Sequence, residues 1–149
     1  MAGKHSRIIG TTDDSIDEAE RELGFSFPPS YRKWLIENNG LFGVDGVNIF
    51  SVLDERDVRK TFDSIVRNYK VNWLAWLENF EDNQTSFEHL LPFAEFGTGD
   101  FYCFDYSEAS SNGEVSVVHW SHETGEIEHR GDNFEDFLEN LKRGDFEFD

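Results

Sequence analysis

Four segments typical of β-strands follow one another between residues 90 and 130, with only short turns between them. They cover residues 90–96, 100–106, 115–121 and 126–130. Each turn contains glycine, which tolerates the positive φ that tight reversals require. Because a crossover helix needs about a dozen residues, neighbouring strands here must run antiparallel. The second half of the chain therefore predicts an antiparallel meander.

Two helical patterns precede this meander. In the first, Ser15 and Glu18 predict a capping box, and Gly24 predicts the left-handed residue that ends the helix. Its expected buried stripe consists of Ile16, Ala19 and Leu23. A second helix is expected to begin at residues 28–30, where proline is tolerated, and to end at the Asn-Asn-Gly of residues 38–40.

Between these helices and the meander, residues 47–52 predict a strand, and Asp54 predicts the start of a further helix. The expected buried stripe of that helix is Val58, Phe62, Ile65 and Tyr69. The helical pattern continues over residues 73–80, where the rings of Trp73 and Trp76 are expected in the core.

A last helix follows the meander, with Asp132 or Asn133 as its cap and Gly144 as its end. Its apolar stripe consists of Phe134, Phe137, Leu138 and Leu141. These patterns predict an α+β fold formed by one domain over residues 1–149, with its core at about 15–143. The central sheet is expected to be mostly antiparallel, with the helices from both ends of the chain packed on one of its faces.

Negative charge is concentrated in the second half of the chain. The whole sequence has a net charge of −18, and residues 71–149 contain 19 acidic and only 3 basic residues. Such a surface repels phosphate backbones and anionic membranes, so we expect neither direct nucleic-acid binding nor membrane binding. It can be a solvated face that keeps the protein apart from its neighbours, or it can attract a basic protein partner. Since residues 1–14 do not read as a signal peptide, we expect a cytoplasmic protein.

Catalytic and metal-binding motifs are not evident. His119, His122 and His129 could bind zinc if they converged, but they straddle a hairpin, and we expect half-exposed strand residues instead. Asp100 and Asp105 are five residues apart, which places them on opposite faces of a strand. We expect Asp100 to shape the turn after Gly99, Asp105 to bond backbone in the next loop, and the lone Cys103 to be buried. No catalytic residue, metal or cofactor is therefore predicted.

The order of several short motifs resembles the SUKH superfamily, the Smi/Knr-type domain. The matching motifs are Ile16-x-x-Ala19-Glu20-x-x-Leu23-Gly24, Phe27-Pro28-x-x-Tyr31-x-x-Trp34-Leu35-x-x-Asn38-Asn39-Gly40, Phe96 to Asp105, Gly113-Glu114-Val115 with His119, and Asn133 to Leu138. Phe27, Trp34 and Asn133 stand where the family usually has Leu, Phe and Ser. The resemblance implies a single α+β domain without enzymatic activity. Many bacterial members resemble immunity proteins that neutralise a toxin, often a nuclease, whereas fungal members act in regulation.

An immunity protein is accordingly the leading functional hypothesis, with the acidic second half covering a basic cleft of a cognate toxin. Exposure and charge suggest as contact residues Glu95, Asp100, Tyr102, Asp105, Tyr106, Glu108, Glu114, Trp120, Glu123, Glu126 and Glu128. The tyrosines and Trp120 are expected to act as aromatic anchors. The protein is expected to be a monomer or weak dimer. Two alternatives stay open: a regulatory or scaffold module, and a metal- or carboxylate-dependent hydrolase.

Overall fold

A six-stranded antiparallel sheet organises the computed structural model, which describes residues 9–44, 46–78, 87–97, 99–108 and 111–143. The strands pair in chain order, so the predicted meander is confirmed. They are β1 (Leu41–Val44), β2 (Val47–Ile49), β3 (Leu90–Phe96), β4 (Asp100–Asp105), β5 (Ser116–Trp120) and β6 (Ile127–Gly131). The strand expected over residues 47–52 is shortened to β2, and β1, an edge strand, was not predicted.

Helices precede, interrupt and follow the strands, as expected for an α+β fold. They are α1 (Asp13–Leu23), α2 (Pro29–Glu37), α3 (Val58–Thr61), α4 (Ile65–Arg67), α5 (Leu74–Leu77) and α6 (Phe134–Arg143). A π-helical segment, Asn68–Trp73, joins α4 to α5, and single 3₁₀ turns occupy Glu55–Asp57 and Tyr106–Glu108. The predicted positions of Phe80 and Gly144 lie outside the described residues.

Both faces of the sheet are covered: α2 and α6, from the two ends of the chain, lie on one face as expected, and the helical segment between the strands covers the other. Phe101 and Phe104 point to opposite sides of β4 because side chains alternate along a strand. The Phe104 ring lies 5.1 Å from that of Tyr31 in α2, on the side that α6 also covers. The Phe101 ring lies 5.6 Å from that of Trp73 in the π-helical segment. Strand β4 is therefore buried on both faces, like a strand of an α/β protein.

The cap of α1 differs from the prediction. The helix begins two residues before the expected Ser15 cap, and the backbone N–H of Ser15 donates to the side-chain oxygen of Thr12 at 3.2 Å. Asp13 and Asp14 then occupy the first turn, where carboxylates favour the positive end of the helix dipole. Gly24 ends the helix at φ 79°, as predicted.

The helix predicted after Asp54 is broken between α3 and α4. Residue Ile65 donates its backbone N–H to the carbonyl of Ser51 at 2.7 Å, and the side chain of Ser64 caps α4. This long-range bond interrupts the helical register, so only Ile65 of the expected stripe is fully buried. Phe62 is 56% exposed and Val58 46% exposed, which contradicts their predicted burial.

Candidate partner-binding surface

A carboxylate at the start of β4 connects two histidines from the end of β5. The Oδ2 atom of Asp100 lies 2.9 Å from Nε2 of His119, and its Oδ1 atom lies 2.6 Å from Nδ1 of His122. The backbone N–H of His122 also donates to Oδ1 at 3.0 Å. Asp100 therefore ties the chain that leaves β5 to the neighbouring strand, rather than shaping the turn after Gly99 as expected.

The surroundings of Asp100 favour its ionised form. Burial alone would raise the pKa of Asp100, but the hydrogen bonds from the backbone and ring of His122 and from His119 together lower it. The ring of His122 packs 4.9 Å from that of Trp76. Gly99 has φ 139°, and a Cβ there would lie 3.1 Å from a Trp76 ring carbon. Glycine at this position thus permits the rings of Trp76 and His122 to approach the backbone of the turn before β4 closely.

The three histidines do not form one cluster. His129 bonds to Asp132 at 3.0 Å, apart from the pair on Asp100. Within the part of the chain that the structure describes, no three or more His, Cys, Asp or Glu side chains form a group able to hold a metal ion. Cys103 is fully buried, as predicted, and burial raises the pKa of its thiol.

Three predicted contact residues lie exposed on the β5–β6 hairpin. Glu123, Glu126 and Glu128, which we call the hairpin acidic surface, are all open to solvent. Glu128 bonds to Arg130 at 2.8 Å, with its side chain 64% exposed. The turn itself is held by Ser121, whose backbone N–H donates to the carbonyl of Glu126 at 3.0 Å. These carboxylates therefore project from a hairpin whose base is fixed by Asp100.

Two predicted aromatic anchors are buried, which corrects their assignment as contacts. Tyr102 and Trp120 have no exposed surface. The Tyr102 ring packs 4.9 Å from Phe137 of α6, and the Trp120 ring packs 4.8 Å from Trp73. Alternation along a strand suggested that one set of side chains faces solvent. Because helices cover both faces of the sheet, both sets are in the core.

The other predicted contacts have bonds within the fold. Glu114 accepts from the backbone N–H of Ser30 at 2.8 Å and from its hydroxyl at 2.7 Å. The Tyr106 hydroxyl donates to the carbonyl of Ser26 at 2.8 Å. Asp105 accepts from the backbone and hydroxyl of Ser107, which confirms its expected role in the next loop. The side chain of Glu108 lies outside the described residues.

Glu95, on β3, is half-buried. Burial raises the pKa of Glu95, and the nearby charge of Asp63 raises it further. The carboxylate therefore has little solvent in which to meet a partner. Of the predicted contacts, the hairpin acidic surface is the most accessible group.

A groove that sequence patterns did not predict lies between α1 and residues 52–67. Its volume is about 530 Å³, and Phe62 and Leu53 form part of its lining. Phe62 was assigned to the core because helical periodicity alone cannot register the break at Ser64. The acidic residues Asp14, Glu18 and Glu22 also line it, and their spacing of four was visible in the sequence.

These features place the chain among α+β proteins that are built on a six-stranded antiparallel meander. An acidic hairpin lies at one end of the sheet. Every described helix is too short or too polar to cross a lipid bilayer. Residues 10–140 match the SMI1 / KNR4 family (SUKH-1), and the chain belongs to this family. A search among curated proteins finds no match.

Proposed function

We propose that this chain is an immunity protein that binds and neutralises a cognate toxin, with a nuclease as the class of toxin. Membership of the SUKH-1 family supports the proposal, since bacterial members resemble such proteins. The single observation that carries it is the hairpin acidic surface, three exposed carboxylates on a hairpin held by Asp100.

The physical basis is charge complementarity. A nuclease cleft that binds phosphate groups is lined with basic side chains, which attract carboxylates arranged at a similar spacing. Glu123, Glu126 and Glu128 can occupy such a cleft and exclude the nucleic acid. Because Asp100 holds the base of the hairpin, little conformational entropy is lost when the surface binds. Inhibition then requires no chemical step by this protein.

The test begins with a pull-down in which this chain, as bait, captures its binding partner from a lysate of the native organism. That protein is then expressed alone in bacteria to establish toxicity, and rescue by this chain is measured. We expect rescue by the wild type and loss of rescue with the Glu123→Gln, Glu126→Gln, Glu128→Gln triple variant. A triple variant with Glu37→Gln, Glu135→Gln and Glu139→Gln removes the same charge elsewhere and should still rescue.

Association kinetics of the purified pair give a second readout. Since opposite fields steer the encounter, the association rate should fall steeply as ionic strength rises. Equal rates at low and high salt would contradict the electrostatic part of the proposal. A retained protein that is not toxic when expressed alone would favour the regulatory or scaffold function instead.

A further inference from the structure

The groove between α1 and residues 52–67 combines an apolar rim with an acidic wall. Leu53 and Phe62 form part of the rim, and they are 45% and 56% exposed. Apolar side chains that line one exposed groove together gain from being covered by a partner, because covering removes their surface from water. Here the fold itself keeps Phe62 outside, because the bond between Ile65 and Ser51 breaks the helix beside it.

Phe62 is also held in a defined place. The guanidinium of Arg67 lies 4.9 Å from the centroid of its ring. A positioned aromatic side chain loses little rotamer entropy on binding, which is the property of an interface anchor. More than half of the surface of Phe62 remains open to a partner.

The acidic wall is a regular stripe along α1. Asp14, Glu18 and Glu22 follow at intervals of four, so all three lie on one face of the helix and span about 12 Å. Glu18 pairs with Arg21, and Glu22 with Lys70 at 3.0 Å. Exposed pairs of this kind contribute only about 0–1 kcal/mol, so a partner's cations can replace them.

The opposite wall carries little free positive charge. Arg56 bonds to the buried Asp54 at 2.7 Å, and Arg67 lies 3.7 Å from Asp63. The hydrogen bonds from Arg56, ahead of the opposing effect of burial, lower the pKa of Asp54, so this pair stays ionised and engaged. A ligand in the groove therefore meets an apolar rim and a row of carboxylates, of which Glu18 and Glu22 are held only by exposed ion pairs.

We infer that this groove binds a basic amphipathic helix of a partner protein. Lysine or arginine side chains at intervals of four residues would match the stripe of Asp14, Glu18 and Glu22, while the apolar face covers Leu53 and Phe62. An extended strand fits less well, because the walls are a helix and a loop rather than an open sheet edge. The inference is independent of the proposed toxin contact, since no residue of the hairpin acidic surface lines the groove.

The test uses the full chain and a fluorescent 18-residue peptide of leucine and lysine arranged as an amphipathic helix. We expect the Phe62→Ser variant to weaken peptide binding by about tenfold or more, as loss of an anchor does. Asp14→Asn, Glu18→Gln and Glu22→Gln together should weaken it similarly. A peptide of the same composition in scrambled order should bind less tightly.

Matched controls separate the groove from general attraction to an acidic protein. Phe42→Ser removes an aromatic side chain that is 86% exposed outside the groove, and it should leave affinity unchanged. The triple variant at Glu37, Glu135 and Glu139 removes equal charge and should also bind normally. Equal losses in the controls, or equal binding of the scrambled peptide, would overturn the inference.

Analytical ultracentrifugation tests whether two copies of this chain associate through the groove. If the groove were instead the interface between two copies of this chain, the wild type would form dimers that Phe62→Ser dissociates, and the inference would be wrong. Circular dichroism of each variant establishes that the fold is retained. A fold-retaining Phe62→Ser variant with unchanged affinity would also exclude the groove as the binding site.

Discussion

Asp100 shows how one side chain can hold the base of a hairpin in place. Its carboxylate accepts from the ring of His119 in β5 and from the ring and backbone N–H of His122, just after that strand. Hydrogen bonds to an ionised, partly buried group contribute more than those between neutral groups. The carboxylates of the hairpin acidic surface lie just beyond this attachment, so their placement depends on it.

We expect Asp100→Asn to lower the free energy of unfolding by about 1–2 kcal/mol at neutral pH, because an amide accepts fewer of these bonds. Since the folded state lowers the pKa of Asp100, the stabilisation is present above the ordinary value of 3.8 and is lost as pH falls through the folded value. The difference between wild type and variant should therefore shrink below about pH 4. Urea titrations at several pH values measure it.

Asp132→Asn is the matched control, because Asp132 also bonds a histidine but its side chain is 82% exposed. Its effect on unfolding should stay within about 0.5 kcal/mol. If Asp100→Asn were equally mild, the carboxylate would not fix the hairpin. A difference that grew at low pH would contradict the direction of the pKa shift.

At the scale of elements, helix α2 depends on a side chain far away in sequence. Pro28, at its N-cap, makes no side-chain capping bond, and Glu114 supplies the acceptor for Ser30 instead. A carboxylate at this end also favours the positive pole of the helix dipole. The loop before β5 is thereby joined to the start of α2.

We expect Glu114→Ala to lower the free energy of unfolding by about 1–2 kcal/mol, the range for loss of a helix cap. Urea denaturation followed by circular dichroism measures the change. Glu126→Ala, at an exposed position of the hairpin, should have an effect below about 0.5 kcal/mol. Equal effects would mean that the bonds of Glu114 to Ser30 contribute nothing to stability.

At the scale of the whole molecule, the net charge of −18 acts on folding and on binding in opposite ways. Mutual repulsion among the carboxylates destabilises the compact state, and salt screens that repulsion. The same screening weakens attraction to a basic partner. Ion pairs, such as those of Arg32 with Asp13 and Asp17, also lose some strength in salt, but they are partly exposed and contribute little.

We therefore expect the urea midpoint to rise when sodium chloride is increased from about 0.01 M to about 0.1 M, which shortens the Debye length from about 30 Å to about 10 Å. The triple glutamine variant of Glu37, Glu135 and Glu139 should show a smaller rise, because less repulsion remains. A midpoint that fell with salt would show that ion pairs outweigh repulsion.

Local sequence patterns were enough to predict several elements of this fold. Periodicity predicted the buried stripes of α1 and α6. Turn residues predicted the end of α1 at Gly24 and the order of strands β3 to β6. Family membership also followed from ordered motifs. The acidic character of the hairpin was evident because the charge of a side chain follows from its residue type.

Long-range packing controls which side chains reach solvent and which groups bond to one another. The bond from Ile65 to Ser51 placed Phe62 outside, and helices on both faces placed Tyr102 and Trp120 inside. Asp100 bonds to His122, which lies 22 residues further along the chain, and local residue spacing does not predict such a contact. The reason is physical: periodicity reports preferences within one element, whereas burial and pairing depend on what other elements pack against it.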